Sequence, residues 1–127
     1  MKILLVSNSA RGHAIAAALK RSSKNPDIIA ITTVKDPGIA ALATEHHVMD
    51  IMSSSKIVDI ARKAKVDFAF IAPEDPIGGG LVDRLHSSGI HSVAPMKPLA
   101  RIETSKSYCR HLLKINGIDA NPKYRVF

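Results

Sequence analysis

The chain alternates short apolar runs, rich in β-branched residues, with longer segments whose apolar positions recur at helical spacing. Runs that are apolar on both faces are typical of parallel strands covered by helices on each side. The sequence therefore predicts five strands, which cover residues 3–6, 28–31, 46–49, 68–72 and 92–94. Because strands and helices alternate, we expect the α/β class, with an open parallel sheet flanked by helices.

Helical spacing predicts four helices, at residues 14–21, from 53–55 onward, at 79–87 and at 104–116. The second would turn to the sheet an inner face made of Ile57, Ile60, Ala61 and Ala64. Asp36-Pro37-Gly38 predicts a turn, and Gly117 is placed to end the last helix. The apolar segment Tyr124–Phe127 is either an edge strand or the point where a second domain continues.

Composition narrows the class of protein. With 127 residues, 46% hydrophobic and 23% charged, the chain fits one folded domain and not a disordered segment. Cys109 is the only cysteine, so an internal disulfide is excluded and a reducing compartment is favoured. No apolar run is long enough to cross a bilayer, so we expect a cytoplasmic protein without a membrane partner.

The net charge of +7 is concentrated near the end of the chain. Residues 97–127 hold seven basic and two acidic residues, which leaves a net charge of +2 for residues 1–96. The pattern of strands and helices also changes after the fifth strand, and we expect a domain over 1–96 followed by a basic helical segment over 97–127. Since the five aromatic residues do not interleave with basic runs, we expect a phosphorylated ligand or an acidic neighbouring domain, not nucleic acid.

The segment between the first strand and the next helix is a candidate anion site. Ligands of open α/β sheets bind beyond the carboxyl ends of the strands, where helix N-termini present free N–H groups. Asn8, Ser9 and Arg11 add an amide, a hydroxyl and a guanidinium there. With Gly12 as its only glycine the segment matches neither G-x-G-x-x-G nor a P-loop, and a tight turn capped by Asn8 or Ser9 remains the alternative.

Two further segments carry candidate chemistry. Glu74 and Asp75 follow the fourth strand, where carboxylates can accept hydrogen bonds from sugar hydroxyls; alternatively, Glu74 only favours the start of a helix. Lys106 falls in the first turn of the basic helix, where a cation opposes the helix dipole and so hints at an anionic ligand.

The histidines and the cysteine do not indicate a metal site. His46 and His47 would point to opposite faces of a strand, and the remaining histidines lack a partner at metal-binding spacing. Cys109 has no neighbouring base, and we expect it to be a core residue.

These motifs, taken in order, resemble the N-terminal domain of phosphoribosylamine–glycine ligase, an ATP-grasp enzyme of purine synthesis, in particular its archaeal-type sequences. Residues 3–14 resemble that family's first strand and its Gly-Asn-Gly-Gly/Ala-Arg-Glu-His-Ala loop. Pro37-Gly38-Ile39-Ala40 is similar to its Pro-Gly-Asn-Ala turn. Residues 72–77 and 80–83 resemble its Gly-Pro-Glu-Ala-Pro-Leu and Gly-Val-Val-Asp motifs. Pro95 and residues 103–106 resemble its Gly-Pro and Leu-Glu-Gly-Ser-Lys motifs, and residues 121–127 resemble the start of its linker.

The resemblance implies a Rossmann-like pre-ATP-grasp domain within an enzyme that joins phosphoribosylamine to glycine through a glycyl phosphate, using ATP and Mg²⁺. The residues that it places at the phosphoribosyl substrate are Asn8, Ser9, Arg11 and His13, with Glu74 at the ribose. Ala10 and Gly12 belong to the same candidate loop, and Asp75 is a candidate as the carboxylate next to Glu74. The resemblance places Lys106 at the ATP phosphates. It also implies an ATP-grasp domain as partner, in cis or in trans, and we expect neither ATP nor Mg²⁺ to bind tightly to this chain alone.

The chain departs from the family motif at several positions. Gly12 stands where the family has Glu, which would remove an acidic partner of the substrate, and four family glycines are replaced, by Ser7, Ser9, Ala72 and Ala94. Because the 127 residues do not include an ATP-grasp domain, we do not expect catalysis by this chain alone. The alternative is a non-catalytic interaction subunit that docks on a separate ATP-grasp partner through residues 97–127.

Overall fold

Five parallel strands form one sheet in a computed structural model that describes residues 1–127. They are β1 (Lys2–Ser7), β2 (Asp27–Thr32), β3 (Glu45–Val48), β4 (Phe68–Ile71) and β5 (His91–Val93), in the spatial order β3-β2-β1-β4-β5. The sheet therefore grows outward from β1 in both directions, which is the doubly wound arrangement. The predicted α/β class, the parallel sheet and all five strands are confirmed.

Seven helices flank this sheet. They are α1 (Ala10–Lys20), α2 (Pro37–Leu42), α3 (Ser54–Ala64), α4 (Glu74–Gly78), α5 (Leu81–Ser87), α6 (Lys97–Thr104) and α7 (Lys106–Ile115). The prediction was wrong at several boundaries. Helix α1 begins four residues before the predicted start, so Ala10–His13 are helical, and α6 was not expected. Helix α4 begins at Glu74, which confirms the interpretation of Glu74 as a carboxylate at a helix start.

Local backbone geometry explains the divided helices. Gly80 has a φ of 85° and separates α4 from α5, so the helix predicted at 79–87 begins two residues later, at Leu81. Ser105 is extended, with φ −126° and ψ 100°, and divides α6 from α7. Its hydroxyl accepts a hydrogen bond from the Tyr108 N–H, so Ser105 both ends one helix and caps the next.

Asp36-Pro37-Gly38 starts a helix, whereas the sequence predicted a turn. The Asp36 carboxylate accepts the Ile39 N–H at 2.9 Å, and Pro37 occupies the first helical position, where a missing N–H has no cost. Because this bond satisfies an N–H that has no intrahelical carbonyl, it stabilises the six-residue helix α2.

We expect Asp36→Ala to lower the free energy of unfolding by about 1 kcal/mol, because it removes this N-terminal cap. Urea unfolding measures the change. Ser53→Ala is the matched control, since Ser53 precedes α3 and its hydroxyl donates to Asp50 before the helix, not to a group of α3. Equal losses in the two variants would show that the Asp36 bond does not act as a cap.

The core is unequal on the two faces of the sheet. One buried cluster holds 17 residues and includes Leu4, Val6 and Ile57 together with side chains of α5. The other holds five, which are Leu5, Ala16, Ile28, Ala30 and Ile39, beneath α1 and α2. On α3 the predicted inner positions Ile57 and Ala61 are buried, whereas Ile60 and Ala64 are only partly buried and Val58 lies inside.

The last segment packs less closely. Ala100 of α6 is buried, but α7 has no buried residue. Gly117, with φ 63°, ends α7 as predicted, and its N–H bonds the Lys114 carbonyl. The segment Tyr124–Phe127 does not join the sheet, so the edge-strand interpretation was wrong. Continuation into a second domain and a boundary after residue 96 both stay predictions. No helix is both long and apolar enough to cross a bilayer.

Candidate functional site

The candidate site lies where the carboxyl ends of β1, β2 and β4 meet in the middle of the sheet. Strand β1 is flanked by β2 on one side and β4 on the other, and the connections leave in opposite directions from this point. Such a switch point opens a crevice between the loops that follow the strands. Three helices begin beside it, namely α1, α2 and α4.

The turn from β1 into α1 is held by a buried serine. Ser7 is fully buried, and its Oγ accepts the Ser9 N–H at 3.3 Å and donates to the Ser9 carbonyl at 3.2 Å. Ser9 precedes α1 in an extended conformation without a side-chain bond to the helix. The tight turn of the alternative interpretation is present, with Ser9 at the N-cap position, but neither the Asn8 nor the Ser9 side chain caps the helix.

This turn leaves hydrogen-bond donors available. The Asn8 N–H has no partner within the chain. Ala10 and Arg11 lie in the first turn of α1, whose N–H groups have no intrahelical carbonyl to bond. Asn8, Ser9, Ala10 and Arg11 are all exposed. Together with the positive end of the helix dipole, they make this end of α1 able to receive an anion.

Arg11 joins the β1 turn to the β4 turn across the switch point. One of its terminal nitrogens, Nη1, donates to Glu74 Oε1 at 3.1 Å and to the Ala72 carbonyl at 3.2 Å. The two partners fix the guanidinium while its Nε and its other terminal nitrogen stay available. Those remaining N–H groups can bind two oxygens of one phosphate or carboxylate at once.

Hydrogen bonds hold the pKa of Glu74 below its ordinary value. The main cause is a bond from its own backbone N–H, and the Arg11 guanidinium adds a hydrogen bond and an opposite charge. Because the pKa is lower in the folded chain, ionised Glu74 favours folding above its ordinary pKa. That contribution is lost as the pH falls through the pKa of the folded state.

We expect Arg11→Met to raise the pKa of Glu74 only part of the way to its ordinary value, since the backbone bond, which is the larger cause, remains. A carbon-detected NMR titration of the Glu74 carboxyl measures the shift. Arg21→Met, at the other end of α1, should leave the titration unchanged. An unchanged pKa in Arg11→Met would show that the ion pair does not form in solution.

The other predicted residues take different positions. The His13 ring lies against Gly38 at the start of α2, where a Cβ would come within 2.5 Å of a ring carbon. Asp75 is exposed beside Glu74, and its side chain makes no hydrogen bond. Lys106 is exposed at the start of α7, which packs mainly against α6, and no ion pair or hydrogen bond joins it to Arg11 or Glu74.

Gly12 occupies an inward position. It is buried, a Cβ on it would overlap the Ser7 hydroxyl, and its N–H bonds the Ser9 carbonyl at 3.0 Å. In this chain position 12 therefore points beneath the helix, towards Ser7. That its glycine removes an acidic partner of the substrate stays a prediction. Sequence analysis had also missed the Ala72 carbonyl and the role of Ser7.

A groove lies elsewhere, along α3 and α5. It has a volume of about 610 Å³, and polar and charged residues such as Asp59, Asp83 and Arg84 line it. None of the predicted site residues borders it. No group of three or more His, Cys, Asp or Glu side chains converges in a way that could hold a metal ion.

The strand order and the site at the switch point define the class of protein as a Rossmann-like α/β domain. A sequence model of the family described as phosphoribosylglycinamide synthetase, N domain, matches residues 1–103. The chain belongs to this family, as its motifs predicted.

Similar proteins agree with this assignment. The chain is 46% identical to phosphoribosylamine–glycine ligase of Methanoregula boonei and 38% identical to that of Pyrococcus furiosus, in both cases over all 127 residues. It spans only 30% and 28% of the lengths of these relatives. The match therefore covers a single portion of a longer ligase.

Solved structures share the fold at low sequence identity. N5-carboxyaminoimidazole ribonucleotide synthetase from Thermotoga maritima has a TM-score of 0.71 at 19% identity, covering 91% of this chain and 31% of its own. The biotin carboxylase domain of a thermophilic 2-oxoglutarate carboxylase has a TM-score of 0.72 at 14% identity, covering 92% and 28%. These neighbours support the predicted Rossmann-like α/β fold.

Proposed function

We propose that this chain supplies the phosphoribosyl-binding wall of a phosphoribosylamine–glycine ligase and does not catalyse ligation alone. The observation that carries the proposal is the position of Arg11, which is fixed by Glu74 and Ala72 at the exposed start of α1. The partners would be phosphoribosylamine or glycinamide ribonucleotide and an ATP-grasp domain, in cis or in trans.

The phosphate of the substrate would bind at the start of α1. The free N–H groups of Arg11 can bind two phosphate oxygens, and the Asn8 N–H and the first N–H groups of the helix can bind others. The Asn8 and Ser9 side chains are exposed and carry further polar atoms. His13 lies one helical turn further along and closes the side of the site next to Gly38.

The ribose would lie on the β4 side of this crevice. Glu74 is ionised at neutral pH, since its hydrogen bonds hold its pKa below an ordinary value that is itself well below neutral, and its oxygens can act as hydrogen-bond acceptors for sugar hydroxyls. Its Oε1 binds Arg11, so we assign Oε2, which makes no bond to Arg11, to the ligand. Asp75, exposed on the next position, offers a second carboxylate.

The complete reaction needs groups beyond these. ATP would phosphorylate glycine to glycyl phosphate, and the substrate amine would then displace phosphate. The acidic side chains of this chain do not converge into a magnesium site, so we assign Mg²⁺ and most ATP contacts to the ATP-grasp domain. Lys106, exposed and unpaired, could reach ATP phosphates only with that domain in place. We propose a cytoplasmic setting for this function.

Titration with glycinamide ribonucleotide, followed by ¹⁵N–¹H NMR, tests the proposal. We expect the amide signals of residues 8–13 and Glu74 to shift, and glycinamide without the phosphoribosyl group to leave them in place. Shifts confined to other residues would contradict it. Ligation of phosphoribosylamine to glycine should appear only when an ATP-grasp domain is added to the chain.

An interaction subunit is a second candidate, favoured by the surface of residues 97–127. On α6, Leu99 and Ile102 are 67% and 48% exposed, and α7 buries no residue. The net charge of this segment adds attraction to an acidic partner. Capture of an ATP-grasp domain should then weaken as salt rises, and capture that ignores salt would contradict docking by charge.

A further inference from the structure

Ser7 is a buried polar residue to which the proposed function gives no contact with ligand. It is the last residue of β1 and is 0% exposed, opposite Thr32 in β2. Its hydroxyl bonds both the N–H and the carbonyl of Ser9. These bonds close the chain into a small ring immediately before α1, so the direction in which α1 starts depends on this hydroxyl.

Gly12 faces the buried space that the Ser7 side chain occupies beneath α1. It lies in the first turn of α1, directly over Ser7, and a Cβ built on it would overlap both Oγ and Cβ of Ser7. The Ile39 side chain, 3.4 Å from that Cβ position, closes the far wall. Ser7 and Ile39 are both buried, so neither can swing outward to make room. The space therefore admits one side chain, at position 7 or at position 12.

We propose that Ser7 is a positioning residue of the anion site. Its hydroxyl fixes the turn that presents Asn8, Ser9 and the first N–H groups of α1. Gly12 is required because that hydroxyl occupies the space beneath the helix. The expected effect of Ser7 on ligand binding rests on the proposed function. The packing of Ser7 against Gly12 and the turn held by the Ser7 hydroxyl do not depend on it.

A thermal unfolding cycle tests the shared space, using Ser7→Gly, Gly12→Ala and the double variant. We expect Gly12→Ala to lower the melting temperature by roughly 5–15 °C, because overpacking a buried site is destabilising. Alanine is the better helix former, so intrinsic propensity alone would raise the temperature. The double variant should recover at least half of the loss. If the melting temperature of the double variant fell by the sum of the two single losses, Ser7 and Gly12 would not compete for the same space.

Ser7→Ala tests the positioning role, since it removes the hydroxyl and keeps the Cβ. We expect the Ser9 amide to exchange about three- to tenfold faster and inorganic phosphate to bind about three- to tenfold more weakly. Thr32→Val is the matched control: Thr32 Oγ1 donates to the Val34 carbonyl at 2.7 Å, the corresponding bond after β2. It should leave the Ser9 exchange rate unchanged.

The outcomes separate the two proposals. Unchanged Ser9 exchange in Ser7→Ala, or an equal increase in Thr32→Val, would overturn the positioning role. If the unsubstituted chain binds neither phosphate nor glycinamide ribonucleotide, the proposed function fails. The unfolding cycle would still show whether Ser7 and Gly12 compete for one space. The Ser9 exchange rate would still show whether the Ser7 hydroxyl holds the turn.

Discussion

Arg11→Met is expected to weaken binding of glycinamide ribonucleotide by about 10- to 100-fold. Hydrogen bonds from a charged group contribute about 1.5–3 kcal/mol each, and this variant removes every guanidinium donor while keeping much of the side-chain volume. Isothermal titration calorimetry or the NMR titration gives the dissociation constant. The same variant frees Glu74 from its partner at 3.1 Å, so the ribose side of the site also loses its fixed acceptor.

Arg21→Met provides the matched control for this measurement. Arg21 is exposed at the opposite end of α1 and has the same formal charge, so its loss changes the net charge equally. We expect it to change the affinity by less than about twofold, because an exposed charge so far from the ligand is screened by salt. If both variants weakened binding equally, general attraction by the basic chain would explain the affinity. The assignment of the ligand site to the start of α1 would then be wrong.

Leu4→Ala is expected to lower the free energy of unfolding by about 2–5 kcal/mol, which is the usual cost of a cavity in a close-packed core. Leu4 is fully buried on the central strand and belongs to the 17-residue cluster. Since small domains are stable by only about 5–15 kcal/mol, the loss is a large fraction of the total. Urea unfolding at equilibrium measures it.

The same substitution at Leu99 is the control. Leu99 on α6 is 67% exposed, so truncation removes little buried surface and should cost less than about 0.5 kcal/mol. Comparable losses at the two positions would mean that the α6 surface is covered in solution, for example by a second copy of the chain. A concentration-dependent midpoint would reveal that association.

The strands were predictable because their signal is local. Runs such as Ile3–Val6 are apolar at every position, and only a strand covered on both faces buries all of them. Short helices were not predictable in the same way. In α2 the segment Asp36-Pro37-Gly38 has the composition of a turn, and the hydrogen bond from Ile39 to Asp36 distinguishes a helix start only in three dimensions.

The site shows a similar division. Arg11 and Glu74 could be assigned to one edge of the sheet, because both follow central strands, but their bond spans 63 positions of sequence and depends on strand order. The departures from the family motif at Ser7 and Gly12 looked independent in the sequence. They lie in contact, so each explains the other as a matter of packing.

The unequal core has a consequence for motion. Only five fully buried residues anchor the layer formed by α1 and α2, whereas the opposite layer rests on the larger cluster. Layers with fewer buried contacts open at lower free energy than the rest of a domain. Transient detachment of α1 would separate Arg11 from Glu74 and dismantle the crevice without unfolding the sheet. A bound phosphoribosyl group would contact both Arg11 and Glu74. Its binding would therefore reduce the motion of the layer formed by α1 and α2.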